Sequence, residues 1–112
     1  MTEVFFTLNA DHKITGFKTL GHAGYKRRGK DIVCSAISAL TITAVNSIEE
    51  VAKADAEVIT DEKTGMISLK LRSLPDDRTE TIFRSLILGL KGISAEYEGR
   101  YCKVTIKEEL QC

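Results

Sequence analysis

Tryptophan is absent from the 112 residues, proline occurs once, and neither sign of charge is in excess: 16 Lys and Arg balance 16 Asp and Glu. Zero net charge argues against a general polyanion binder, which would be strongly basic. A hydrophobic share of 43% argues against a charged, disordered chain. Cysteine is scarce and odd in number: Cys34, Cys102 and Cys112. Three cysteines with no close pair do not make a disulfide framework, and a reducing compartment fits them best. The first nine residues, MTEVFFTLN, lack the basic start and long apolar run of a signal peptide. The longest apolar-rich stretch, Ile32 to Ala54, is interrupted by Ser35, Ser38, Thr41, Thr43, Asn46, Ser47, Glu49, Glu50 and Lys53. That density of polar groups is too costly for a bilayer helix. The expectation is therefore a cytoplasmic protein with no membrane partner and no direct nucleic-acid partner.

A chain of this length buries roughly two-thirds of the surface its unfolded form would expose, so it can fold without disulfides or metal. One domain over residues 1–112 is expected, with no internal linker or low-complexity segment. Val4 to Leu8 is rich in strand formers, Asn9 to His12 is turn-like, and Ile14 to Leu20 reads as a second strand. The alternation slips around Gly16, which predicts a bulge. Gly21 to Lys30, GHAGYKRRGK, carries three glycines and four basic residues and reads as a loop. Asp31 is a good helix N-cap. The residues after it, from Ile32 to Val51, are apolar on most of a helix circumference, which predicts a central, buried helix. Glu57 to Asp61 and Met66 to Leu71 flank a Thr64-Gly65 turn and form a second hairpin. Pro75 opens a second helix, with Ser73 as a candidate cap and Asp76, Asp77 and Glu80 near its positive end. Ile82, Phe83, Leu86, Ile87 and Leu90 fall at helical spacing. Arg100 to Lys107 is a last strand. The order ββαββαβ predicts an α+β two-layer sandwich, two helices on a mostly antiparallel sheet.

Few residues here can do chemistry. His12 reads as a solvated turn residue, Cys112 as a frayed end, and Cys102 as a small hydrophobe on the apolar face of a strand. Cys34 is different. With Asp31 as cap, it is the third residue of a helix, where a thiolate meets the positive end of the dipole and unpaired N–H groups. The Asp31 charge opposes this, and the sequence does not settle which wins. His22 lies in the glycine-rich loop leading into that helix, and the loop can bring imidazole back beside sulfur. Such a Cys–His pair can attack a carbonyl and later protonate the leaving amine. The alternative is a packing cysteine and a solvated histidine. Two ligands are too few for zinc, so no metal or other cofactor is expected. Lys26-Arg27-Arg28 with Lys30 reads as a solvated lid over a bound peptide or as a contact to nucleic acid or ribosomal surface, with the lid favoured by the overall charge balance.

Gly21-His22-Ala23-Gly24, followed by Gly29-Lys30-Asp31-Ile32-Val33-Cys34-Ser35-Ala36-Ile37-Ser38-Ala39-Leu40, resembles the bacterial ribosomal-processing cysteine protease family, Prp. The likeness covers essentially the whole chain in length and element order. It implies a cytoplasmic, homodimeric cysteine endopeptidase. Its substrate would be the N-terminal extension of a bacterial large-subunit ribosomal protein, number twenty-seven, cut after an aromatic-rich segment. Residue by residue it implies Cys34 as nucleophile and His22 as general base. Asp31 and Ser38 match positions with supporting roles, and Gly21 matches the hinge before the loop. Ser35 departs from the pattern, standing where many members have alanine. Backbone N–H groups at the helix start are the natural oxyanion donors. Two rival readings use the same residues: a non-catalytic ribosome-associated module that holds a peptide, and a redox sensor built on Cys34.

Overall fold

A computed structural model describes residues 1–21 and 31–109. The strands are β1 (Thr2–Leu8), β2 (Ile14–Leu20), β3 (Ala56–Asp61), β4 (Met66–Leu71) and β5 (Cys102–Glu108), and the helices are α1 (Ile32–Asn46) and α2 (Asp77–Glu96). A single π-helical turn, Ser47–Val51, prolongs α1. The sheet order is β3-β4-β2-β1-β5. Three of its pairings are antiparallel and only β1 with β5 is parallel. This is the ββαββαβ sandwich that the hydrophobic patterning predicts.

Local chemistry fixes the hairpins. Asn9 Oδ1 accepts the N–H groups of Asp11 and Lys13, and His12 takes a left-handed φ of 60° in that turn. The register of β1 against β2 slips between Thr7 and Leu8, which pair with Gly16 and Ile14 and leave Thr15 as the extra residue. The bulge thus falls beside Gly16, as expected. A Cβ at Gly16 would stand 2.2 Å from the Leu69 carbonyl oxygen, so β2 and β4 meet at a distance only glycine allows. The second helix starts later than Ser73 suggests. Asp76 is its cap, accepting the Thr79 N–H while Thr79 Oγ1 accepts the Asp76 N–H, a reciprocal capping box. Glu80 in the first turn reaches over to accept the Ile14 N–H at 2.9 Å, which ties α2 to the first hairpin.

The core lies between sheet and helices. Val4, Phe6, Ile14, Phe17 and Leu69 from the sheet meet Val33, Ile37 and Ile48 from the α1 rod and Phe83, Leu86 and Leu90 from α2. The aromatic rings stack in sequence, Phe6 on Phe17 at 5.6 Å and Phe17 edge-on to Phe83 at 6.2 Å.

One expectation fails. The α1 rod is not buried all round. It lays one stripe, Val33, Ile37, Thr41, Ala44, Val45 and Ile48, on the sheet. Its opposite face is open, with Ile32 62% and Ile42 50% exposed. Ile32–Val51 is long and apolar enough, by length and composition, to cross a bilayer. The exposure has a plain cause: a helix at the surface of a two-layer fold has only one layer to rest on, whatever its composition. The two helices pack side by side closely. A Cβ on Gly89 would sit 2.9 Å from Leu40 Cδ1, so this glycine admits the neighbouring helix.

Candidate active site

The first turn of α1 is built around Asp31. Its backbone is extended and its carboxylate Oδ1 accepts the Cys34 N–H at 2.9 Å. Its carbonyl oxygen accepts both the N–H and the hydroxyl of Ser35, each at 3.1 Å. Asp31 is only 6% exposed, so water cannot easily stand in for the cap. The carboxylate therefore fixes the backbone of the cysteine three residues on. It also occupies that cysteine's own amide. An oxyanion at this helix end would have to draw on the amides before Cys34, or displace the cap.

Cys34 is half-buried against the core and lines a cleft of about 260 Å³. One wall is α1, with Ser38 and Thr41 following Cys34 along the helix face. The floor is Thr2 of β1 and Thr19 of β2, both buried. The far wall is the β3–β4 turn, which presents Glu62 and Gly65. Thr19 anchors that turn: its hydroxyl donates to the Gly65 carbonyl at 3.1 Å and accepts the Ile67 N–H at 2.9 Å. Thr41 satisfies its hydroxyl on the Ile37 carbonyl at 2.9 Å, so it can line the cleft without an orphaned donor.

Of the residues singled out from sequence, the structure brings Gly21, Cys34 and Ser38 to this one cleft and places Asp31 directly behind it as the cap. Gly21 has a φ of 82°, and a Cβ there would stand 2.7 Å from the Met1 carbonyl oxygen, so glycine is needed on both counts. His22 and the basic residues Lys26, Arg27, Arg28 and Lys30 lie outside the described residues, as does Cys112. The other two candidates take the bland roles expected of them. Cys102 is buried in the core and burial pushes its thiol up from the ordinary value. His12 is exposed in its turn, with Nδ1 3.5 Å from Glu108. Among the described residues no three His, Cys, Asp or Glu side chains gather where they could hold a metal ion. Thr2, Thr19, Thr41 and Glu62 were not legible as cleft residues. Each is an ordinary strand, helix or turn residue by type; Thr41 follows Cys34 along α1, and strand register brings the other three to the cleft.

What this arrangement can do chemically is attack an electrophile. A thiol at a helix start, half open to a narrow cleft with hydroxyl-bearing walls, suits an extended peptide laid across it. Comparison with known proteins agrees. The family model described as cysteine protease Prp matches residues 1–103. The ribosomal processing cysteine protease Prp of Staphylococcus aureus is 28% identical over 97 residues, which is 87% of this chain and 92% of that protein. A crystal structure of the S. aureus protease with a covalently linked product peptide superposes with a TM-score of 0.88 at 26% identity, covering 96% of this chain and all of that one. The SMU.848 protein of Streptococcus mutans is similar in fold, with a TM-score of 0.82 at 25% identity, covering 97% of this chain and 96% of that one.

Proposed function

The chain belongs to the cysteine protease Prp family, and from that we propose the substrate and the catalytic pair: it removes the N-terminal extension of a bacterial large-subunit ribosomal protein, number twenty-seven, with Cys34 as nucleophile and His22 as general base. The observation that carries the reading is Cys34 itself, held by the Asp31 cap and open to a cleft with an immobilised far wall. His22 takes the Sγ proton as sulfur attacks the scissile carbonyl carbon. The tetrahedral intermediate collapses, the C–N bond breaks, and His22 returns the proton to the leaving amine. Water then hydrolyses the thioester and frees Cys34. In this scheme Asp31 positions the nucleophile through its backbone, Ser38 borders the cleft after Cys34, and Gly21 is the hinge before the loop that carries His22.

Cleavage of the extended ribosomal protein by the full chain tests this. Cys34→Ala and His22→Ala, each shown to be folded by circular dichroism, are both expected to abolish cleavage. Undiminished cleavage by Cys34→Ala refutes the mechanism.

We further propose that the enzyme works in the cytoplasm as a homodimer joined through the open helix layer. Three exposed apolar side chains, Ile32, Ile42 and Leu88, support that choice of face. Light scattering should give a dimer for the wild type and a monomer for an Ile42→Asp, Leu88→Asp variant.

A further inference from the structure

Five polar or charged residues are buried among the described ones: Thr2, Thr19, Asp31, Thr41 and Thr79. Four of them have a side-chain partner. Thr19 bonds Gly65 and Ile67, Asp31 accepts the Cys34 N–H, Thr41 donates to the Ile37 carbonyl, and Thr79 closes the α2 capping box. Thr2 is the exception. It is 3% exposed, and among the described residues its hydroxyl has no hydrogen-bond partner. Its place is nevertheless firmly set. The Thr2 N–H donates to the Tyr101 carbonyl at 3.0 Å, and the residue pairs with Cys102 at the start of β5. It lies on the Val4 and Phe6 face of β1, where it lines the Cys34 cleft.

A buried hydroxyl without a partner is costly, and valine fills the same volume in a strand without that cost. The position therefore gives up stability in the free protein. What it offers is a donor and an acceptor at the floor of a narrow cleft. A peptide laid across that cleft brings its own carbonyl and N–H groups, which lose water on entry and need partners. We propose that Thr2 is a substrate-binding residue whose hydroxyl hydrogen-bonds the backbone of the peptide held beside Cys34. The inference rests on the protease reading and adds to it a contact that is indifferent to the peptide's side chains.

The test uses the full chain as wild type, Thr2→Val and Thr2→Ser, with an internally quenched peptide spanning an aromatic-rich cut site. One neutral hydrogen bond shifts an equilibrium by about 2- to 10-fold. Thr2→Val should raise KM by that factor with kcat little changed, and Thr2→Ser, which keeps the hydroxyl, should stay near the wild type. In urea unfolding the Val variant should be at least as stable as the wild type, which separates binding from a structural role. An unchanged KM overturns the proposal. So does a raised KM accompanied by a lower urea midpoint, since the hydroxyl would then serve the fold. Fluorescence anisotropy on the Cys34→Ala protein and on its Thr2→Val double variant reads binding without turnover. There the peptide is remade with each non-scissile amide in turn replaced by an ester. One ester should weaken binding several-fold more to the protein with Thr2 than to the Val variant, which assigns the bond to that peptide group. Equal losses in both proteins at every ester overturn the proposal. Failure of the wild type to cleave any peptide would count against the protease reading, while the anisotropy still decides for or against Thr2.

Discussion

Replacing Asp31 by Ala should cost stability and activity together, and the structure says how much. The side chain accepts the Cys34 N–H at 2.9 Å and the residue is 6% exposed. Removing an N-cap of this type costs about 0.5–2 kcal/mol. The upper part of that range applies because water reaches the buried amide poorly, and leaving a buried donor unpaired costs ~1–3 kcal/mol by itself. A loss of ~2 kcal/mol, divided by a urea slope of ~1–3 kcal/mol/M for a small protein, lowers the midpoint by about 1 M. Asp31→Asn keeps an oxygen acceptor for the cap and forfeits the attraction between a carboxylate and the helix start, ~0.3–1 kcal/mol. Urea unfolding followed by circular dichroism should rank wild type, then Asn, then Ala. An Ala variant that unfolds at the wild-type midpoint would refute the capping argument. Peptide cleavage by the Asn variant adds a second reading. Full activity there limits Asp31 to the cap, and lost activity at near-normal stability gives its charge a role of its own.

Two other perturbations probe the frame around the site. Gly16→Ala drives a Cβ to 2.2 Å from the Leu69 carbonyl oxygen, so β2 and β4 must part; a loss of about 2–3 kcal/mol in urea unfolding is expected, and a neutral result would contradict the close approach of these strands. Cys102 is held protonated by burial in the native fold while the unfolded chain ionises it at pH ~8.5. Its contribution to stability is therefore whole below that pH and fades as pH rises toward the folded value. Between pH 8 and 10 the urea midpoint of the wild type should fall more steeply than that of Cys102→Ala. In a Cys112→Ser background, iodoacetamide followed by mass spectrometry should label Cys34 well before Cys102. Equal labelling would contradict the burial of Cys102.

Sequence pattern was enough for the strands, the two helices and their order, because each element obeys one local rule: alternation for β1, β4 and β5, a cap and a long apolar run for α1, and a helical stripe for α2. The cap, a local motif, was also enough to single out Cys34 as the candidate thiol, since it stands three residues after Asp31. Sequence pattern misjudged α1. Composition reports how apolar a helix is, whereas burial depends on how many layers cover it, and this fold supplies one. The rest of the cleft was out of reach for a different reason. Thr2, Thr19 and Glu62 are distant in the chain and meet only because β2 pairs with both β1 and β4, with Thr19 opposite Val4 on one side and Ile67 on the other. That register carries the Thr19 hydroxyl to Gly65 and Ile67, and through them sets the wall opposite Cys34. Cys34 is thus fixed by a short-range contact and the β3–β4 wall of its cleft by a long-range one. A sequence motif can mark the first. The second depends on strand pairing, so this wall can change through Thr19 while the motif around Cys34 stays the same.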